Sequence, residues 1–497
     1  MMTGRSARAV AVCAPILLVA ACGSGFSGAI ADGMDAGPAD ASPDVTAADA
    51  GCDATQSPKT NACVVTDAYG VFVAPNGSDS ATGTMSAPFA TVGRGVLAAA
   101  SAHKRVYVCT GTYAEQVTID ASANGVSLFG GLACPGDDAG DSSWSYTGHP
   151  ATIAPTTGYA LKVDTVSSPI VIEDLELAAT DATTPGGSSI AAFVNGSANV
   201  DFVRVELSAG SGADAAMTPA LSGQPATTTN GNAGTTSGLG DGTGGAAVTC
   251  SCTNGGMTTG GAGGNGGPMT AGAGSPGSAM PTVTGSPPAD GAGGPAGCYA
   301  GHNGGAAPGG SGGGGAMSLG TLTSNGWTPA TGTGGSNGGP GEGGGGGGGD
   351  ALSPANGGAC GGCGGAGGGP GAGGGSSIAL AIVMSTVTLD SCSLVASHGG
   401  AGGKGGAGQA GGLGGTASSA ETCLSGGTGG AGGAGGAGGG GAGGSSWGVA
   451  FVGTAPTQMN GTTISIGALG GGGAGGEGMG MNGDNGMNGD ATEVKSF

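Results

Sequence analysis

The chain has 497 residues, 126 of them glycine, with 3% aromatic residues and a formal charge of −21. Glycine loses the most backbone entropy on ordering and buries no side chain, so a quarter of the chain adds little to a core. With 31 acids against 10 bases, the chain lacks the basic patches by which a nucleic-acid binder displaces counterions, so nucleic acid is excluded as a partner.

Arg5 and Arg8 precede an apolar run, Ala9 to Ala21, that is too short to span a bilayer. The run ends in Val19-Ala20-Ala21-Cys22, the pattern of a bacterial lipobox. Residues 1–21 therefore read as a lipoprotein signal peptide, and Cys22 as the lipidated mature N-terminus; the alternative is an ordinary cleaved leader with a chance cysteine. The expected partner is a membrane, reached through the lipid anchor. Gly23 rather than Asp follows the cysteine, so the expected location is the outer membrane, at the cell surface or facing the periplasm. Residues 22–65 read as the lipidated cysteine and a disordered acidic tether, on the small, acidic and Pro-bearing composition of 23–50.

Residues 66–208 carry the strand patterns. "GVSLFGGL" at 125–132 and "ATIAPTTGYALKVDT" at 151–165 read as strands, and Thr91 is placed to N-cap a helix over "VGRGVLAAASA". Such a helix would cover the open end of the first sheet layer. A spacing then repeats. Ile170-x-Ile172-x-x-Leu175-x-Leu177 recurs as Val200-x-Phe202-x-x-Val205-x-Leu207, as Val387-x-Leu389-x-x-Cys392-x-Leu394, and more weakly as Met459-x-Gly461-x-x-Ile464-x-Ile466. Alternation, a two-residue break and alternation again describe two short strands meeting at a corner. A Gly-Ser-Ser-apolar lead-in precedes three of these strand groups, at Gly187, Gly375 and Gly444. Together they predict rungs of a parallel β-helix, stacked because one rung cannot bury its own apolar face.

The intervening segments are glycine-rich: an insertion over 209–375, a rung at 376–397, an insertion over 398–444, a rung at 445–468 and a tail over 469–497. "GGAGGAGGAGGGGAGG" at 428–443 has a period of three without the proline of collagen. Two readings stay open for such tracts. One is three-per-turn helices packed backbone to backbone, the other a flexible coil.

Export favours disulfides among the 13 cysteines. Cys13 lies in the leader, Cys22 carries the lipid, and Cys392 takes an apolar rung position. The candidates that remain are Cys52 with Cys63, Cys109 with Cys134, and Cys250, Cys252, Cys298, Cys360, Cys363 and Cys423. Cys360-Gly-Gly-Cys363 has neither the second CxxC nor the His pair of a metal site, so no metal is assigned.

"VFVAPNGSDSATGTMSAPFATVGRGVLAAA", "VYVCTGTYAEQVTI" and "VSLFGGL" resemble the opening of bacterial pectin-lyase-like β-helix proteins, through Val73 to Asp79, Gly83-Thr84, Pro88 to Thr91 and Gly111 to Tyr113. The matching region in those proteins is a domain of unknown function. The glycine-rich tracts resemble, by composition only, polymorphic glycine-rich (PGRS-like) surface proteins. The resemblance implies an all-β, right-handed parallel β-helix with long glycine-rich insertions. It implies no chemistry, because that superfamily holds lyases, hydrolases, adhesins and proteins without activity.

A lyase on such a fold needs acids for Ca²⁺ and a Lys or Arg to remove a proton. After the leader the bases are Lys59, Arg94, Lys104, Arg105, Lys162, Arg204, Lys404 and Lys495. Rung alignment stacks Asp174 on Arg204 and Glu176 on Glu206. Stacked like charges need compensation, by Arg204 or by a bound cation. The plain reading of this group is a surface ion-pair patch. Asp137, Asp138 and Asp141 lie beside Trp144 and Tyr146, where acids could hold Ca²⁺ and aromatics could stack on sugar. The plain reading there is a solvated turn. "NGDNGMNGD" at 482–490 has calcium-loop composition without a full calcium motif. His103, His149, His302 and His398 are scattered. The expectation is a non-catalytic structural, adhesive or polysaccharide-contacting surface protein, with no cofactor assigned and Ca²⁺ a weak candidate. The rival is a Ca²⁺-dependent polysaccharide lyase or a glycosidase.

Overall fold

In a computed structural model of the chain, the described residues are 52–53, 55–102, 105–136, 143–219, 221, 229–236, 242–269, 271–282, 291–297, 299–418 and 424–497. The fold is all-β, built on three parallel sheets. The first sheet contains Val71–Val73, Arg105–Cys109, Ser127–Ala133, Ile170–Glu173, Val200–Val203, Val387–Asp390 and Thr457–Met459, with Ser145–Tyr146 antiparallel to Ser127–Ala133. The second contains Thr112–Tyr113, Ala151–Ile153, Leu175–Ala179, Glu206–Ala209, Ser393–Ala396 and Thr463–Ser465. The third contains Val117–Ile119, Leu161–Asp164, Ser189–Asn195, Ser377–Val383, Ser446–Val452 and Ala491–Ser496.

From Leu161 onward the chain visits the third, first and second sheets in that order, four times, before the last strand returns it to the third. The periodicity predicts the register of the first three passes. Ile172, Phe202 and Leu389 lie side by side, as do Leu177, Leu207 and Leu394, and all six are fully buried. The Gly-Ser-Ser lead-ins have a bonding role. Ser188 Oγ accepts from the Ser376 N–H at 2.8 Å, Ser376 Oγ from the Ser445 N–H at 3.0 Å, and Ser445 Oγ from the Asp490 N–H at 3.0 Å. The hydroxyls thus continue the ladder where strand pairing has not begun.

The two-residue break is a corner containing one left-handed residue, with φ of 51° at Asp174, 52° at Arg204 and 56° at Ser391. A left-handed non-glycine residue costs about 1 kcal/mol. The cost is offset because each corner N–H is paired: Asp174 with the Val203 carbonyl at 3.1 Å, Arg204 with that of Asp390 at 2.8 Å.

The fourth pass departs from the spacing. Gap-free repetition sets Met459 against Val387 and Ile464 against Cys392. In the structure Met459 pairs with Asp390 and Ile464 with Leu394. The corner Asn460-Gly461-Thr462 is one residue longer than Ser391-Cys392, with φ of 44° and 77° at Asn460 and Gly461. Cys392 keeps the buried row of Leu175 and Val205 as a free thiol. Its neighbour in the fourth pass is Thr462, whose hydroxyl accepts from the Cys392 N–H at 3.3 Å. The strand Ala491–Ser496 is a further addition, inside the segment read as a glycine-rich tail.

Thr91 N-caps the helix Val92–Ser101, its hydroxyl accepting from the Arg94 N–H at 3.3 Å. Val92, Val96 and Ala99 enter the core. Gly95 is required for the approach, since a Cβ there would lie 2.6 Å from Val73 Cγ2.

The described residues of the glycine-rich tracts are hydrogen-bonded, with a period of three along 424–446. Along 424–446, every third N–H from Gly427 to Gly439 donates to a carbonyl of the antiparallel stretch 333–345. The next class, Gly429 to Gly444, donates to 400–415, also antiparallel, and the third, from Ala437 to Gly443, donates to the parallel stretch 481–487. Carbonyls of the same tract accept from 304–316 and 362–374, both parallel, and from 470–476, antiparallel. Among the described residues this tract therefore has six neighbouring stretches, the hexagonal packing that three-per-turn extended helices allow. Glycine is needed here for close approach: a Cβ on Gly438 would lie 2.0 Å from the Gly369 carbonyl oxygen. At one class of positions, larger residues precede a contact that demands glycine. Thr428 and Ala431 precede the contact with 470–476, whereas at that contact the equivalent residue is Gly440, where a Cβ would lie 1.9 Å from the Gly473 oxygen.

Candidate functional site

Asp174 and Arg204 occupy the same corner in successive passes, so their side chains meet along the direction in which strands stack. Arg204 Nε donates to Asp174 Oδ1 and Nη2 to Oδ2, both at 2.8 Å, and Nη2 also contacts Glu173 Oε1. Glu173 ends the strand Ile170–Glu173 on its outward face, yet Glu173 and Asp174 are only 4% and 5% exposed. The segment after Cys52 reaches Glu173, where Ser57 Oγ donates to Glu173 Oε1. In the preceding pass Gly130-Gly131 makes room, because a Cβ on Gly130 would sit 2.1 Å from the Asp174 carbonyl oxygen.

Burial pushes the Glu173 carboxyl above its usual range, and the Ser57 hydroxyl and Arg204 charge offset only part of this. For Arg204, burial acts to lower the pKa, but the hydrogen bonds to Asp174 and the charges of Glu173 and Asp174 outweigh it and hold the guanidinium protonated. Burial, followed by the Asp174 charge, raises the Tyr146 hydroxyl. This geometry makes Arg204 an ion-pair partner; a proton acceptor needs a base that can be neutral.

Glu176 and Glu206 are paired in register on the second sheet, as the alignment predicts. The expectation that Arg204 compensates them is corrected, since that side chain turns to Asp174 and Glu173 across the corner. Thr152 donates to Glu176 at 2.6 Å, and Ser393 pairs in register with Glu206.

Asp137, Asp138 and Asp141 lie outside the described residues, as do Cys22, Cys298, Cys423, His103 and Lys104. Near the first group, Gly136 and Cys134 line a cleft of about 360 Å³ together with Pro75, Asn76, Thr110, Gly111 and Thr112. Trp144 does not present a sugar platform. It is 7% exposed, packs edge-on against Phe72 at 4.7 Å, and donates its indole N–H to the Met85 carbonyl at 3.0 Å.

The run 482–490 holds neighbouring stretches together. Asn485 and Asn488 accept from the N–H groups of Gly475 and Gly472 at 2.8 and 2.9 Å, and Asp490 pairs with Lys495 at 2.9 Å. These bonds give the run a structural role. His398 Nδ1 accepts from the Ala468 N–H at 3.0 Å, which also links two stretches. Other bases are engaged: Lys162 with Asp164 at 2.8 Å, Arg105 over the Phe129 ring at 4.8 Å, and Arg94 over Phe89 at 5.0 Å.

Four disulfides are present among the described residues, Cys52–Cys63, Cys109–Cys134, Cys250–Cys360 and Cys252–Cys363. Cys360 and Cys363 bond to different partners, so the CxxC is two crosslinks between a hairpin and a glycine tract. Glu173 and Ser57 are the members of the ionic cluster that the sequence reading misses. The alternation of Ile170-Val171-Ile172-Glu173 sets Glu173 outward, but nothing local reveals the segment that reaches it. Comparison of the chain with models of known families, with curated proteins and with solved structures finds no match.

Proposed function

We propose that this chain is an exported lipoprotein, tethered through Cys22, whose three sheets wind as a right-handed parallel β-helix that serves as a non-catalytic surface scaffold in contact with polysaccharide or other surface components. The constant order of sheets over four passes supports the winding. The glycine-rich stretches at 209–375 and 398–444 are then insertions between rungs, packed beside the helix as a second rigid layer.

The observation that carries the non-catalytic reading is the bidentate grip of Arg204 on Asp174, which uses the base a lyase would need. The rival, a Ca²⁺-dependent lyase or a glycosidase, draws on the adjacent carboxylates Glu176 and Glu206, since glycosidases use carboxylate pairs. One experiment separates the two. The purified chain is incubated with acidic and neutral polysaccharides, with and without Ca²⁺, while binding, unsaturated uronate and new reducing ends are followed together. Binding without either product is the expected result. Turnover that disappears in Glu176→Gln or Glu206→Gln would establish the enzyme instead.

A further inference from the structure

The sheets end differently at their two extremities. At the first, the helix Val92–Ser101 covers the core. At the other, the outermost strands are Thr457–Met459, Thr463–Ser465 and Ala491–Ser496, and among the described residues nothing pairs with their outer edges. Among the described residues the core is open there. Phe451 and Ile464 are only partly buried, whereas their in-register neighbours Ile382 and Leu394 are fully buried, and Val494 is 38% exposed. Open parallel edges above an apolar core are a template for a second chain.

Several features of this end oppose that use. The two edge strands of the first and second sheets have three residues each, against four in the pass beneath. The corner between them carries the extra residue noted above, which breaks the shared register. The row Ile172–Phe202–Leu389 ends in Gln458, which is exposed. In the third sheet, Ala191 and Ala192 both face the core, as do Ala379 and Leu380 in the next strand. Those two rows end in Glu493 and Val494, so a carboxylate stands at the end of a core row beside an exposed valine. Lys495 follows on the outer face.

We infer that Gln458 and Glu493 are gatekeepers that keep this open end from pairing with a second copy of the chain. Joining two such ends would bury two carboxylates and two amides without assigned partners, and burying an unpaired charge is strongly unfavourable. Short strands, a shifted corner and an inward charge are the means by which edge pairing is prevented.

The test is sedimentation velocity on the purified full chain in density-matched detergent, with thermal melts as a folding control. The wild-type chain is expected to sediment as a monomer. Gln458→Leu/Glu493→Val is expected to keep its fold and at least double its weight-average mass at micromolar concentration. Adding Val494→Lys to that variant restores the monomer, which separates edge pairing from general stickiness. Glu493→Gln, isosteric and safe for folding, gives weak association that grows with concentration. A wild-type chain that already associates and is dispersed by Val494→Lys would overturn the inference. So would a folded double variant that stays monomeric, or a triple variant that still associates.

Discussion

Arg204 reaches back across one corner to grip Asp174 with two parallel hydrogen bonds of 2.8 Å, and both residues hold φ near 50°. The pair ties successive passes together at the point where the chain turns between sheets. Replacing Arg204 by Met leaves Glu173 and Asp174 buried without their cation. Breaking a buried pair from one side costs about 3–5 kcal/mol, so the urea midpoint should fall strongly, and Arg204→Lys should fall between. An Arg204→Met midpoint equal to wild type would mean that the cluster is solvated and structurally idle.

Glu173 gives this cluster a pH signature. Its folded-state pKa is raised above the ordinary value of 4.5, chiefly by burial. A raised carboxyl favours the fold while protonated, so its contribution is full below the unfolded value and is lost as pH rises through the folded one. Glu173→Gln removes this loss. The stability of the variant relative to wild type should therefore increase as pH rises above 4.5, in urea titrations run in steps toward neutrality. Parallel stability curves would contradict the assigned shift.

The glycine lattice predicts sharp positional tolerance. Gly438→Ala places a Cβ 2.0 Å from a backbone oxygen inside the packed tract, where overpacking costs about 1–3 kcal/mol or more. Ala431→Gly, at an exposed position of the same tract, should change stability by under about 1 kcal/mol. Thermal melts of the two variants should differ clearly. Equal melts would argue against close packing.

Cysteine pairing gives a chemical check. Peptide mapping without reduction should recover Cys250–Cys360 and Cys252–Cys363 as two separate crosslinks. Free alkylatable thiol at Cys250, Cys252, Cys360 or Cys363 would contradict these pairings, whereas the buried thiol of Cys392 is expected to be protected.

The periodic part of the fold was legible because strand alternation and a fixed corner length survive in sequence across long insertions. Ile172, Phe202 and Leu389 could be aligned by spacing although more than one hundred glycine-rich residues intervene before Leu389. At Asn460-Gly461-Thr462 the spacing misleads, because one added corner residue shifts the match without altering composition. For the glycine tracts, a period of three permits packing but does not name neighbours. Which stretches pair, and with which polarity, depends on where 424–446 is inserted between them. In the ionic cluster, Asp174 and Arg204 followed from the repeat. Glu173 joins it through Arg204 Nη2 and also accepts from Ser57, far away in sequence and outside the repeat.

The close packing of the glycine tract 424–446 among its neighbouring stretches is tested most directly by amide hydrogen exchange along it. The account predicts slow exchange at Gly430, Gly432, Gly433, Gly435, Gly436 and Gly438, whose N–H groups all donate to neighbouring stretches, with protection comparable to the strand Ser446–Val452. Exchange at the rate of an unstructured peptide across this tract, with the strand still protected, would contradict it and leave the glycine-rich segments as flexible coil.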